Sequence, residues 1–321
     1  YASTSPALSD ATAYPDFFRI VPSDAFQGAA LADMVAASGV SNPALIHMTN
    51  TYGAGLADSF EGYWTDAGHS LCLKAGYADT DTDFTAQVQA VIDSGCDSAV
   101  LASYSADGAM IVETMAVMGA TVPTFGADGI AGESALNDYS NPAAANGIQV
   151  TYPRAAPASS GDFASMCSAD AICGSGIYTL EAFDAVSMIG EAATHEDGEN
   201  MAMHIEMVGD GYEGESGTHT FLDNGDVPAT SGYDVCTFNH VPTYGDYYNC
   251  DMMWTPAAGL AEAPFMGVTV KIGFLNDATG PIAVYAAGFV AASQIAVGIA
   301  NTIGWNSMVQ FEIVYADSGC D

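Results

Sequence analysis

The sequence predicts an α/β fold in which parallel strands alternate with helices. The chain has 321 residues, of which 50% are hydrophobic. That length can bury a large core and suggests two lobes or domains. Short apolar segments alternate with longer helical patterns over residues 26–130, and the alternation returns over residues 267–315. Such alternation is typical of βαβ units, whose strands form a parallel sheet with helices on both faces.

The first alternating region contains predicted helices that share one way of ending. Their apolar residues recur at helical spacing, and each is followed by a glycine suited to the position after a helix. The predicted order is helix 26–38, strand 43–48, helix 53–67, strand 70–77, helix 82–94, strand 98–103, helix 108–118 and strand 123–126.

The rest of the chain predicts further helices and strands and one linker. The stretch 281–305 has no charged residue but is rich in Ala and Gly, which favours a helix packed on a sheet over a membrane span. The predicted elements are helices 177–193 and 201–208, antiparallel strands within 219–250 with turns at Asn224 and Gly225 and at Tyr244 and Gly245, a linker over 255–265, strand 268–275, a helix within 281–305, and strand 308–315.

The charge balance limits the possible partners. The chain has 39 Asp and Glu residues against four Lys and Arg residues, a formal net charge of −35. Nucleic acids and anionic lipids are excluded as partners, because so few cations cannot neutralise phosphates. Salt screens the self-repulsion of such a chain. We therefore hypothesise a saline habitat, which predicts that the melting temperature rises with added NaCl.

The cysteines predict an oxidising compartment. Six of the seven fall into pairs that are near in sequence, whereas Cys320 is left over. Close pairs suggest disulfides and an extracytoplasmic location. The alternative is that they are buried free thiols. The predicted pairs are Cys72 with Cys96, Cys167 with Cys173, and Cys236 with Cys250.

No catalytic motif is present in the sequence, so an enzyme is not expected and no cofactor is predicted. The run of acids over residues 79–83 looks like the start of a calcium loop. However, Phe84 stands where that loop needs glycine, and Ala90 stands where it needs glutamate. A solvated turn that leads into a helix is the better interpretation.

Polar and aromatic residues follow several predicted strands. In open α/β sheets, ligands bind at the carboxyl ends of the strands. An acid there would hold an ammonium group, and hydroxyls with helix N-terminal amides would hold a carboxylate, so the set suits a small zwitterion. These segments are residues 1–6, 51–53, Tyr104, 128–129 and 276–281, with Tyr285 shortly after.

Several of these segments resemble the type I periplasmic solute-binding proteins, in particular the branched-chain amino-acid (Leu/Ile/Val) branch that serves ABC importers. The resemblance implies two α/β lobes, each a doubly wound parallel sheet, joined by a three-crossover hinge. It also implies capture of an amino acid between the lobes and delivery to a membrane permease. The matching segments are KIGFLNDATGPIAVYAAGF (271–289), VYADSGCD (314–321), YASTSPALSD (1–10), FFRIVPSDAFQGAALAD (17–33), NTYGAGLADSF (50–60), DFTAQVQAVIDSG (83–95) and FGADGI (125–130), with weaker matches at 178–186 and 222–227.

The resemblance also implies roles for individual residues. They are Ser3, Thr4 and Ser5 for the ligand carboxylate and ammonium, Asp128 for the ammonium, Tyr52 and Tyr104 as aromatics of the second lobe, Tyr285 as a cover from the first lobe, and Tyr178 and Phe183 near the pocket.

The order of the segments departs from the family. The family places the segment matching 267–321 first, so this chain is circularly permuted relative to it. Lobe I is expected to comprise 1–21, 154–218 and 266–321, and lobe II 22–153 and 219–254, with 255–265 joining the family's two ends. About 50 residues of the family's first lobe have no counterpart, at average element and loop lengths. The expected partner of Cys320 belongs to that stretch.

Three explanations stay open for this departure. The sequence is an incomplete or reordered part of a longer chain, a neighbouring molecule supplies the missing strands, or the variant tolerates the loss. The first is favoured, because losing two central strands would expose sheet edges and apolar faces. Two other functions also stay open, namely a ligand-sensing receptor domain of the same fold and a structural assembly subunit.

Overall fold

The structure is a computed structural model. It describes residues 2–154, 163, 167, 173, 177–195, 200–241, 245–263, 268–276, 279, 286–303 and 309–317. Tyr285, expected to cover the ligand, and Cys320, expected to be unpaired, lie outside the described residues.

The largest sheet has eight strands in the order β10-β9-β8-β5-β4-β3-β1-β2. Strands β1 to β5 pair in parallel, and β8, β9 and β10 continue the sheet in antiparallel pairing. The strands are β1 Pro43–Met48, β2 Leu73–Tyr77, β3 Ser98–Ala102, β4 Thr124–Gly126, β5 Gln149–Pro153, β8 Tyr233–Val241, β9 Gly245–Thr255 and β10 Gly259–Glu262.

Helices cover both faces of the parallel part of this sheet. Successive strand residues point to opposite faces, so Leu45 packs with the first two helices and Ile46 packs with the next two. Every residue of β1 and β3 is buried, as expected for parallel strands covered on both sides. The helices are α1 Asp24–Ala37 and α2 Thr51–Asp66 on one face, and α3 Thr85–Ser94 and α4 Ser105–Met118 on the other.

A second region lies outside the large sheet. Strands β6 (Asp210–Gly214) and β7 (Gly217–Thr220) form a hairpin. Strands β11 (Val268–Asn276) and β12 (Val309–Asp317) form a separate parallel pair. The helices of this region are α5 Thr179–Ala192, α6 Met201–Val208 and α7 Ala286–Ile303.

The predicted α/β fold class is confirmed, with local differences. Strand β5 was not predicted, since it is short and contains only two β-branched residues. The predicted turn at Asn224 and Gly225 forms, but it does not join two paired strands. Part of the stretch expected as a linker, 255–265, forms a strand, because Gly259 adopts a left-handed conformation and the chain returns as β10 along β9. The division into lobes stays a prediction.

The predicted disulfides form between Cys72 and Cys96, between Cys167 and Cys173, and between Cys236 and Cys250. The Cys167–Cys173 disulfide precedes α5 in the chain, and the Cys236–Cys250 disulfide joins β8 to β9 within the large sheet. Within the described ranges, no helix has the length and apolar character needed to cross a bilayer.

Candidate ligand-binding site

A cavity of about 590 Å³ lies at the carboxyl ends of β1, β3 and β4. These ends meet at one edge of the sheet, so the loops that follow them converge there. Seven of the predicted ligand-binding residues line this cavity, namely Ser3, Thr4, Ser5, Tyr52, Tyr104, Asp128 and Tyr178.

The loop of residues 3–5, which we call the hydroxyl loop, is held in place by Arg19. The Arg19 side chain is buried, and its Nη1 donates to the carbonyl oxygens of Ser3 (3.2 Å) and Ser5 (3.0 Å). Its Nε donates to Asp226 Oδ1 at 2.7 Å, which balances the guanidinium charge. The guanidinium therefore fixes the backbone of the hydroxyl loop and leaves the hydroxyl side chains free to face other groups.

Asp128 is the acid at the centre of the site. It is buried, and its two carboxylate oxygens accept hydrogen bonds from the hydroxyls of Tyr52 (2.9 Å) and Tyr178 (2.5 Å). Burial raises the pKa of Asp128, and the hydrogen bonds from Tyr178 and Tyr52 offset part of that rise. Phenols neutralise no charge, so the ionised carboxylate has no cationic partner among these contacts.

A second buried acid, Asp24, lies directly behind the hydroxyl loop. It is the first residue of α1, and its Oδ2 accepts a hydrogen bond from Thr4 Oγ1 at 3.0 Å. Its Oδ1 has no hydrogen-bond partner. Burial raises the pKa of Asp24 well above its ordinary value, and the negative charge of Asp128 raises it further. The hydrogen bond from Thr4 and the positive charge of Arg19 offset part of that rise, so the charge of Asp24 is only partly compensated.

Sequence reasoning missed Asp24 as a site residue. The helix dipole alone favours an acid in the first turn of a helix, so nothing in the sequence around Asp24 indicated a ligand-binding role. Only the folding of residues 2–8 over the start of α1 brings Thr4 against Asp24, through the Asp24 amide donating to the Thr4 carbonyl oxygen at 2.8 Å.

The tyrosines form the aromatic walls of the cavity. The rings of Tyr52 and Tyr104 are stacked, with centroids 5.0 Å apart, and Tyr104 is 48% exposed. Tyr178 has a φ of 63°, in the left-handed region that a bulky residue rarely adopts. Its hydrogen bond to Asp128 holds this conformation at the cavity wall, and strained backbone of this kind is often found at functional sites.

One predicted site residue lies away from this cavity. Phe183 is on α5, is 39% exposed and packs against the Phe163 ring at 4.2 Å between centroids. It is not among the described residues that line the cavity. The contact of Phe183 with ligand therefore stays a prediction.

The site brings acids, hydroxyls and aromatic rings together at the edge of a parallel sheet, and these groups suit a ligand-binding pocket. The fold and the site define a ligand-binding domain of the type I periplasmic binding protein fold, and its relatives are binding proteins or receptor domains, not enzymes. The chain belongs to the family described as the receptor family ligand binding region, whose model matches residues 1–240.

Solved structures support the same fold. A leucine binding protein, LivK, from Thermotoga maritima superposes with a TM-score of 0.63 at 20% identity, covering 75% of this chain and 68% of that chain. A periplasmic binding protein type 1 from Bordetella pertussis superposes with a TM-score of 0.62 at 19% identity, covering 71% of this chain and 66% of that chain. At these identities the likeness concerns the fold alone.

Curated relatives match a shorter stretch. Metabotropic glutamate receptor 6 from Oryctolagus cuniculus is 38% identical over 73 residues, which is 23% of this chain and 8% of the receptor. Metabotropic glutamate receptor 8 from Homo sapiens is 40% identical over 60 residues, which is 19% of this chain and 7% of the receptor. The chain therefore matches less than a tenth of the length of these receptors.

Proposed function

We propose that this protein is an extracytoplasmic binding protein that captures an amino acid in the cavity between the hydroxyl loop and Asp128. The observation that carries the proposal is Asp128, a buried acid that lines the cavity and accepts hydrogen bonds from the uncharged hydroxyls of Tyr52 and Tyr178. A ligand ammonium beside Asp128 supplies the missing positive charge. Hydroxyls and amides of residues 3–5 then suit the ligand carboxylate.

Capture by closure of two lobes is the proposed mechanism. The hydroxyl loop and Tyr178 belong to the predicted lobe I, whereas Tyr52, Tyr104 and Asp128 belong to the predicted lobe II. A ligand that contacts both sets binds the closed form better than the open form, and it shifts the population by that difference in affinity. Tyr285 and Phe183 stay proposed as further contacts of the closed form.

Delivery to a membrane ABC importer is proposed as the use of the captured ligand. The likeness to LivK supports this reading, and the branched-chain branch of the family supports a Leu, Ile or Val preference. The disulfides support a periplasmic or extracellular location, because such bonds persist in oxidising compartments.

A ligand-sensing receptor domain is the second candidate. The receptor family model and the metabotropic glutamate receptor relatives favour it. Binding of the purified ligand-loaded protein to a reconstituted permease would support delivery, and a signalling segment on the same chain would support sensing. A structural assembly subunit, which the partly exposed β11 and β12 pair favours, predicts stable self-association in light scattering.

The permuted order of segments and the saline habitat are proposals as well. The family model ends at residue 240, and strands β11 and β12 pair with each other apart from the large sheet. An intact mass above the 33.0 kDa of this sequence would favour a longer chain. A melting temperature that fails to rise with NaCl would count against the saline habitat.

The amino-acid proposal is tested by removing the charge of Asp128. Asp128→Asn keeps the shape of the side chain, and we expect it to weaken amino-acid binding about a hundredfold in calorimetry, since one partner of a buried charge pair is lost. The matched control is Asp66→Asn, which removes an exposed acid at the end of α2. Equal affinities in Asp128→Asn and the wild type would refute the role of Asp128.

A further inference from the structure

A second cavity, which we call the hinge cavity, has a volume of about 270 Å³. Among the described residues, it shares no lining residue with the ligand-binding cavity. Each of the three places where the chain passes between the predicted lobes contributes to its lining, namely Ile20 and Pro22 at the first crossing, Pro153 and Arg154 at the second, and Thr218 and His219 at the third. A ligand in this cavity would therefore contact all three predicted crossings at once.

One wall of the hinge cavity is held in place by Asp184 of α5. Its carboxylate accepts hydrogen bonds from the amides of Glu215 (2.8 Å) and Ser216 (2.6 Å) and from Ser216 Oγ. Ser216 Oγ is also 2.8 Å from His219 Nε2. Burial raises the pKa of Asp184, but His219 and the hydrogen bonds from Ser216 outweigh burial, so the pKa lies below its ordinary value. The charge of Asp184 is thus compensated within the protein.

Glu181 lies one turn before Asp184 on α5 and has no comparable set of donors. It lines the hinge cavity, yet the residue is only 8% exposed. Burial raises the pKa of Glu181, and its own backbone amide and His219 offset part of that rise. In the part of the chain that the structure describes, Glu181 forms no ion pair with Lys or Arg. Acids buried to this extent are normally paired, so Glu181 indicates a site for a cationic group.

Arg154 brings a positive group to the same cavity. Its Nη1 lies 3.3 Å from Asp234 Oδ1, and its backbone amide donates to the Gly232 carbonyl oxygen at 3.0 Å, so the residue is held in position. Both of its side-chain contacts with described residues involve Nη1. A guanidinium has five N–H donors, and the edge formed by Nε and Nη2 can therefore donate to a further carboxylate.

We propose that the hinge cavity binds a small zwitterion, with its ammonium group at Glu181 and its carboxylate at Arg154. A simple anion would be repelled by Glu181, and a simple cation would leave the remaining donors of Arg154 without an acceptor. The hinge cavity has less than half the volume of the ligand-binding cavity, which limits the ligand to a short amino acid. The hydroxyls of the lining suit either end of such a ligand, and they belong to Thr218, Thr220, Thr230 and Ser231.

Binding in the hinge cavity is expected to change the affinity of the ligand-binding site. Movement of the lobes about the three crossings changes the distances between the residues that line the cavity, so the zwitterion binds the open and closed forms with different affinities. The two ligands then change each other's affinity by the same factor. This coupling rests on the proposed function, whereas binding in the hinge cavity does not.

Zwitterions of increasing length test binding in the hinge cavity. The probes are glycine, β-alanine and γ-aminobutyrate, and the singly charged controls are propylamine and propionate. The protein is Asp128→Asn, in which the ligand-binding site is weakened. We expect at least one zwitterion to bind at least about tenfold more tightly than either control in calorimetry. Failure of all three zwitterions to bind, or equal binding of propylamine or propionate, would overturn the inference.

Variants of the hinge cavity locate the binding in the same background. Glu181→Gln should weaken zwitterion binding at least about tenfold, because the partner of the ammonium group is lost. The matched control is Glu191→Gln, an exposed acid of the same helix. Ser231→Trp, at an exposed position of the lining, should block binding, and it decides the question if Glu181→Gln does not fold. Unchanged affinity in Glu181→Gln or in Ser231→Trp, or an equal fall in Glu191→Gln, would overturn the assignment.

The coupling is measured as the affinity of the Asp128 form for leucine, with and without a saturating amount of the zwitterion. We expect a change of about fivefold, which Glu181→Gln abolishes. No change would reject the coupling, and a change that persists in Glu181→Gln would show competition at the ligand-binding site instead. If Asp128→Asn binds leucine as tightly as the wild type, the proposed role of Asp128 fails, while the results for the hinge cavity stand.

Discussion

The eight-stranded sheet and the β11 and β12 pair are both built from apolar parallel strands, yet they are covered to very different extents. Every residue of β1 and β3 is buried between two layers of helices. In the pair, Val270, Ile272 and Val314 are 41%, 40% and 46% exposed. Similar strand sequences therefore have different surroundings, and an apolar strand by itself does not establish a buried sheet.

The difference lies in how many layers each region has. The parallel part of the large sheet has α1 and α2 on one face and α3 and α4 on the other, which suits strands that are apolar on both sides. Among the described residues, the pair has α7 packed mainly against β12. We therefore expect the stability of the protein to reside in the large sheet and the segments attached to it.

The largest expected contrast concerns the ion pairs of the two regions. Arg19→Met leaves the buried Asp226 without its cation, and we expect it to lower the free energy of unfolding by about 4 kcal/mol. Lys271→Met removes an exposed pair with Glu312 on the parallel pair, and we expect a change below about 0.5 kcal/mol. Denaturant titration checks both variants. Similar losses in the two would contradict the comparison.

A smaller contrast concerns one valine in each region. Val100→Ala in β3 removes two methyl groups from a fully buried site, and we expect a loss of about 2 kcal/mol in the free energy of unfolding. Val270→Ala in β11 removes the same groups from a 41% exposed site, and we expect less than about 1 kcal/mol. A loss at Val270 as large as that at Val100 would mean that the pair is covered in solution.

The smallest expected effect on stability concerns Asp24, a buried acid of the site that is incompletely hydrogen-bonded although the region around it is well covered. The pKa of Asp24 is raised on folding, so its contribution to stability is full below the ordinary carboxyl range and is lost as the pH rises through the raised pKa. Asparagine does not ionise, so the Asp24→Asn variant avoids this loss of stability. We expect the ligand-free variant to melt about 3 °C higher than the wild type at pH 7.

Thermal melts at two pH values check the Asp24 prediction. The gain should shrink as the pH falls toward 4, because the wild-type Asp24 then holds its proton. The exposed Asp66→Asn serves as the control. A gain that is equal at both pH values would show that the carboxylate charge is not its cause, and a lower melting temperature at pH 7 would reject the proposal that Asp24 is an unsatisfied acid.

Much of the large sheet could be predicted from the sequence because its signals are local. Helical spacing and the glycines after each helix gave α1 to α4, and short apolar segments gave β1 to β4. The rule that ligands bind at the carboxyl ends of parallel strands brought Tyr52, Tyr104 and Asp128 together before their contacts were known. The structure places these side chains at one cavity, as that rule requires.

The remaining features depend on contacts between distant parts of the chain. Strand β10 forms because the chain reverses direction at Gly259 and pairs with the edge of β9, although the sequence of this stretch predicts a linker. Asp24 became a site residue only through Thr4, twenty positions away. Phe183 packs against Phe163, twenty positions away, and is not among the described residues that line the cavity.

The sequence by itself determined the α/β class, the disulfide pairs and the excess of acid, because each depends on composition or on short-range spacing. The tertiary structure alone decided which acids lack a cation. Arg19 binds the hydroxyl loop and Asp226, whereas Asp128 lines the cavity with the uncharged hydroxyls of Tyr52 and Tyr178 as hydrogen-bond donors. Charge pairing depends on distance in space, and four basic residues among 39 acids can be assigned to partners only after the chain has folded.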